Sequence, residues 1–193
     1  MRNKFKNLLS NTVVFGIGNF LSKFLMFLLM PLYTTTLNSK EFGIAELLSN
    51  SIELIIPLFS LGITEAVLRF TMEEDTDKEK ILDIGNFIIS ISILFFILVG
   101  IISKFFIDFN FLIFWILIFS TQLYKQFLAT YTRGKGESRV FAFSGVLNTI
   151  FLFTCNYFFL KVFRVGLNGY FLSLIISNIL TIAYFLLKCK IYN

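Results

Sequence analysis

The sequence predicts an all-α membrane protein, a bundle of six transmembrane helices. Three observations predict it: a composition too apolar to coat a soluble globule, apolar runs that recur at bilayer length, and basic residues that gather on alternate turns. Of 193 residues, 56% are hydrophobic and only 15% charged, with a mean hydropathy of +0.81. A soluble domain averages about 25% charged residues, and surface-to-volume geometry forces it to keep much polar surface. A helix crosses the ~30 Å hydrocarbon core with ~20 mostly apolar residues, at ~1.5 Å of rise each. Segments 11–36, 41–68, 82–103, 109–131, 140–163 and 167–188 meet that length.

Each segment can be justified in order. The first follows Arg2, Lys4 and Lys6 and resembles a signal peptide at its start. Lys23 splits its apolar run, no small-residue cleavage site follows, and five more spans come after it, so it is expected to stay as a helix. The second is interrupted by polar residues. The third (GNFIISISILFFILVGII) and fourth (FLIFWILIFSTQLY) are the cleanest, and the fifth and sixth follow after short turns. Residues 1–193 thus read as a single transmembrane domain with no room for a soluble one and no internal repeat. The longest turn, TMEEDTDKEK, reads as a solvated connector.

The basic residues then set the orientation. With a cytoplasmic N-terminus, the inner segments carry eleven: Arg2, Lys4, Lys6, Arg69, Lys78, Lys80, Arg133, Lys135, Arg139, Lys188 and Lys190. The outer turns carry four, Lys40, Lys104, Lys161 and Arg164. That positive-inside bias puts both termini in the cytoplasm. The two cysteines, Cys155 and Cys189, are far apart and histidine is absent. Disulfide scaffolds, zinc sites and histidine-based catalysis are therefore unsupported, and no cofactor or nucleic-acid partner is expected.

The polar residues within the first two spans carry the functional signal. A central lysine or acid costs about 2.5–3.5 kcal/mol on insertion scales, so such residues usually face a bundle interior or a water-filled cavity. Thr12, Gly16, Asn19 and Lys23 recur at spacings of 4, 3 and 4, which places them on one helix face. Glu46, Asn50, Glu53, Pro57, Ser60 and Thr64 recur at 4, 3, 4, 3 and 4 and form a longer stripe. The short outer turn Leu37-Asn38-Ser39-Lys40 makes the two helices antiparallel neighbours. Lys23 and Glu53 then differ in depth by roughly 5 Å, and the expectation is that they approach each other across a hydrated interior. A structural ion pair is the plainer alternative. Pro57 is expected to kink the second helix. Glu46, Glu65, Arg69 and Lys125 are expected to snorkel to the interface.

Two further motifs have plain readings. Gly16-x-Gly18 lacks the preceding strand of a dinucleotide fingerprint and reads as helix packing. The segment TRGKGESR, residues 132–139, offers Arg133, Lys135 and Arg139 to a lipid headgroup or phosphate, or is an ordinary positive-inside loop.

Several stretches, in this order, carry a resemblance: the cationic start with KNLLSNT, the turn PLYTTTLNSKEFG, the exit SLGITEAVLRF, the inner loop YTRGKGESRVFAFSGVLNTI and the segment VGLNGYFLSLIISNIL. Together they resemble the polysaccharide flippase family, the transporters of undecaprenyl-linked O-antigen, capsule or teichoic-type repeat units. The family belongs with the lipid II flippases and the multidrug and toxin extrusion transporters. The resemblance implies two lobes of about six helices around a central cavity that opens alternately to either side. This chain matches only the N-terminal lobe. It is then either a truncated copy or a half that pairs with a second six-helix half; a glycan polymerase is a further candidate partner. Ser22-Lys23 resembles the Ser-Arg step in the first helix of lipid II flippases, where the basic residue faces the cavity. The implied site is Lys23 attracting the substrate pyrophosphate as a point charge, with Asn19, Asn50 and Glu53 tuning it. Coupling to an ion gradient, with Glu53 as a proton or cation site, rests on analogy. The implied location is the bacterial plasma membrane, and the partners are a lipid-linked oligosaccharide and membrane lipids. A drug or small-cation exporter half and a non-transporting subunit of a glycan-synthesis complex stay open as alternatives. An enzyme is the weakest reading.

Overall fold

The computed structural model describes residues 20, 23–73, 76–104 and 111–191, without the side chains of 189–191. All regular structure in them is helical. A helix over 23–36 (α1) is followed by α2 (Ser39–Phe59), α3 (Ile63–Met72), α4 (Lys78–Ser103), α5 (Leu112–Gly134) and α6 (Ser138–Asn156). A π-helix (Tyr157–Val162) extends α6, and α7 (Leu167–Ile191) closes the chain. Five helical stretches among the described residues are long and apolar enough to span a bilayer: Ser39–Phe59, Lys78–Ser103, Leu112–Gly134, Ser138–Val162 and Leu167–Lys188. By length and composition, the chain is a multi-pass membrane protein. The expected first span, 11–36, lies partly outside the described residues, so the count here is five and not the six expected.

Local chemistry explains the helix ends. The three threonines at the end of α1 return their hydroxyls to backbone carbonyls; Thr35 donates to Pro31 at 2.8 Å and Thr36 to Leu32 at 2.6 Å. Asn38 and Glu41 form a capping box at the start of α2: Asn38 Oδ1 accepts the Glu41 N–H at 2.9 Å, and Glu41 Oε2 accepts the Asn38 N–H at 3.0 Å. Asp77 caps α4 by accepting the Glu79 and Lys80 N–H groups.

The expected continuous helix over 41–68 is in fact two helices. Pro57 lies inside α2, which runs on to Phe59. The break follows at Leu61 (φ 50°) and Gly62 (φ 71°), both in the left-handed region. Gly62 has open space where a Cβ would stand, so its backbone angle and not crowding calls for glycine. The expected kink at Pro57 thus becomes a full break four to five residues later. Two left-handed residues reset the helical phase, and the stripe does not survive it. Glu46, Asn50, Glu53 and Pro57 are exposed, whereas Ser60 and Thr64 are buried.

Helix α5 is central and touches α2, α3, α4, α6 and α7. Close approach to α4 uses Gly85, where a Cβ would run into the fully buried Phe127 ring. Nearer the other end of α5, Phe96 stacks on Phe119 at 3.7 Å between centroids, and Phe59 meets both edge-on. Trp115 packs on Phe96 and donates its indole N–H to Ser51 Oγ at 2.9 Å, tying α5 to α2. At the far end of α6, Asn156 is fully buried and donates Nδ2 to the Leu152 carbonyl at 2.9 Å. There the ladder widens to π spacing, with the Phe163 N–H on the Phe158 carbonyl at 2.8 Å.

Candidate functional site

Two polar regions stand out on this apolar bundle, one outside and one within. The outer one is a face of α2. Ala45, Leu48, Ile52 and Ile56 turn inward and are buried, which rotates Glu46, Asn50 and Glu53 outward. The adjoining helices supply hydroxyls to its edge. Tyr170 on α7 shares a hydrogen bond with Ser49 Oγ at 3.3 Å, and Tyr33 on α1 meets the Tyr170 ring edge-on at 5.2 Å. Glu46 and Glu53 lie within electrostatic range of the Tyr170 hydroxyl, and Glu46 within range of Tyr33. Tyr170 is itself buried, so the exposed surface consists of two carboxylates and an amide. Such a surface can hydrogen-bond a hydroxyl-rich chain or attract a cation.

Lys23 is exposed on α1. It makes no ion pair with Glu53; the ion pairs among the described residues are Arg69–Glu73, Lys80–Asp77 and Lys135–Glu137. The plainer alternative, a structural ion pair between Lys23 and Glu53, is therefore not formed among the described residues. Asn19 lies outside the described residues. Glu65 and Arg69 are exposed, and Glu65 accepts the Thr64 hydroxyl at 2.9 Å.

The inner region was not anticipated. Lys125, expected to snorkel, instead donates to Asn178 Oδ1 at 2.7 Å and Asn148 Oδ1 at 3.4 Å. Thr181 donates to the same Asn148 oxygen at 3.1 Å, and Asn178 Nδ2 donates to Thr121 Oγ1 at 3.4 Å. Five side chains from α5, α6 and α7 form one polar seam between the helices. Its ammonium is met by neutral amide oxygens, with no carboxylate ion-paired to it among the described residues. In low dielectric such a seam is stable only when its donors and acceptors are matched. The signal available in the sequence was a set of isolated polar residues, Lys125, Asn148 and Asn178, on three different spans.

The basic loop residues separate. Arg133 lies 5.9 Å from the Phe141 ring centroid and lines a groove of about 780 Å³ with Leu68, Met72 and Gly136. Lys135 pairs with Glu137 at 3.5 Å, both partly buried. Arg139 is exposed on the first turn of α6 and is not among the residues lining that groove. The three do not form one cluster: Lys135 already has its counter-charge, and only Arg133 faces the groove.

The chain matches no known family model, no curated protein and no solved structure.

Proposed function

We propose that the chain is the N-terminal lobe of a flippase that carries undecaprenyl-pyrophosphate-linked oligosaccharide repeat units across the bacterial plasma membrane for surface-polysaccharide biosynthesis. The sequence motifs suggest the family; one structural observation carries the mechanism. The bundle exposes leucine, isoleucine and phenylalanine over most of its surface, yet α2 exposes Glu46, Asn50 and Glu53 together. Acyl chains cannot satisfy those groups. A water-filled cavity closed by a second six-helix half would do so.

In that cavity Lys23 supplies positive charge to the pyrophosphate, as an ammonium free of any carboxylate ion pair among the described residues. Asn50 and Glu53 hydrogen-bond sugar hydroxyls from α2, with Tyr170 and Ser49 at the edge of the same face. Glu53 is the candidate proton or cation site for coupling. The role is transport and not catalysis, and both termini lie in the cytoplasm.

The test is complementation of a flippase-null strain, with the chain alone and with a co-expressed second half. Lys23→Ala is expected to lose most surface glycan and Lys23→Arg to keep it. Normal export by Lys23→Ala would exclude the pyrophosphate role.

A further inference from the structure

A second groove lies at the end of the bundle where α2 and α7 begin. It measures about 850 Å³ and runs between α1 and the α6–π-helix strut. Leu28 and Leu32 line it from α1, and Phe153 and Leu160 from the strut. Lys161 and Arg164 line it too. Both are exposed, and neither is ion-paired to a carboxylate among the described residues. Lys161 is positioned by the Tyr157 ring, 5.4 Å from its ammonium. Glu41 is the acid in the groove. Its carboxylate is already engaged by the Asn38 N–H in the capping box. The balance is therefore two cations against one committed acid.

The backbone here is unusual as well. The π-helix delivers Lys161, and Arg164 adopts φ 52°, a left-handed conformation uncommon for a residue with a side chain. π-helical turns and such outliers concentrate at functional sites. Depth fits a membrane ligand. Lys161 falls within the last two residues of the apolar span Ser138–Val162, and Arg164 lies two residues past it, so both stand where headgroups are.

We propose that this groove binds an anionic phospholipid, its phosphate held between Lys161 and Arg164 and one acyl chain laid along Leu28, Leu32, Phe153 and Leu160. The net positive lining favours an anionic over a zwitterionic lipid, and the long apolar walls favour a lipid over a free anion.

The test uses the full chain in nonionic micelles doped with phosphatidylglycerol, phosphatidylethanolamine or phosphatidylcholine, with retained lipid read by native mass spectrometry. Each basic residue near an anionic surface is worth about fivefold in affinity. Lys161→Gln with Arg164→Gln is therefore expected to cut retention of phosphatidylglycerol by about tenfold or more. The charge-keeping pair Lys161→Arg with Arg164→Lys should hold it within about twofold. Arg133→Gln, at the opposite end, should leave it unchanged. Undiminished retention by the neutral pair, or equal retention of all three lipids by the native chain, would overturn the proposal. Should the neutral pair fail to fold by circular dichroism, Leu28→Trp decides, because it fills the wall without touching charge. Loss of phosphatidylglycerol is expected there, and full retention overturns the proposal. Inorganic phosphate in excess is expected not to displace the lipid; displacement would reduce the site to an anion site and overturn the acyl-chain assignment.

Discussion

The exposed face of α2 and the seam inside α5, α6 and α7 are both polar, and both sit within apolar spans. They are satisfied in opposite ways. In the seam every named side chain has a partner from another span: Lys125 has Asn148 and Asn178, and Asn148 has Thr181. On α2, Glu46, Asn50 and Glu53 point away from the bundle, while the half-buried Ser49 and Ser51 beside them reach side chains on other helices, Tyr170 and Trp115. A polar group closed on itself holds helices together, and one left open asks for water, a ligand or a further helix. The contrast marks the first region as structural and leaves the second as the candidate for function.

The largest expected break falls in the seam. Asn178→Leu removes the shortest acceptor from the Lys125 ammonium and should cost about 1.5–3 kcal/mol, the range for hydrogen bonds to charged groups. Unfolding in detergent micelles measures it, and an effect near zero would remove the structural role of the seam. Tyr170→Phe sharpens the boundary, since Tyr170 sits on a seam helix and reaches the α2 face. Losing its hydrogen bond to Ser49 should cost about 0.5–1.5 kcal/mol in the same assay. Glu53→Gln should change stability by less than about 0.5 kcal/mol, as for other exposed positions, while reducing glycan export in complementation. A large loss of stability there would make α2's face structural too.

The smallest effect lies outside both regions. The Lys80 ammonium, hydrogen-bonded to Asp77, holds that exposed carboxyl below its usual range, helped by the Lys80 and Glu79 backbone N–H groups. A depressed folded-state value stabilises above the unfolded-state value and is lost as pH falls through the folded one. Helix content at the start of α4 should therefore hold at neutral pH and fade only in acid below the ordinary aspartate range. Circular dichroism against pH checks this, and Asp77→Asn should remove the dependence.

How much of this could be read from the residues alone differs by element. Span positions followed from hydropathy, because the bilayer sets a length that any apolar run must meet. The face of α2 was legible over 46–57 because helical period holds within one helix. It failed at Ser60 and Thr64 because Leu61 and Gly62 break that period. Pro57 drew the expectation of a kink, whereas Gly62 supplies the conformation that ends the helix path. The seam was invisible because its partners come from sequence separations of 23, 33, 53 and 57 residues, and no local pattern reports which spans will touch. Depth along a helix suggested that Lys125 would reach the interface; which way the helix faces decided otherwise.

The central claim is that the α2 face meets water while its neighbours meet lipid, and single cysteines test it most directly. With Cys155 and Cys189 replaced by serine, Glu53→Cys and Leu54→Cys would be labelled in intact membranes by a membrane-impermeant maleimide. The two positions are adjacent and both exposed on the bundle. Rapid labelling at 53 with protection at 54 is the expected result. Equal protection at both would put residue 53 in lipid and contradict the account.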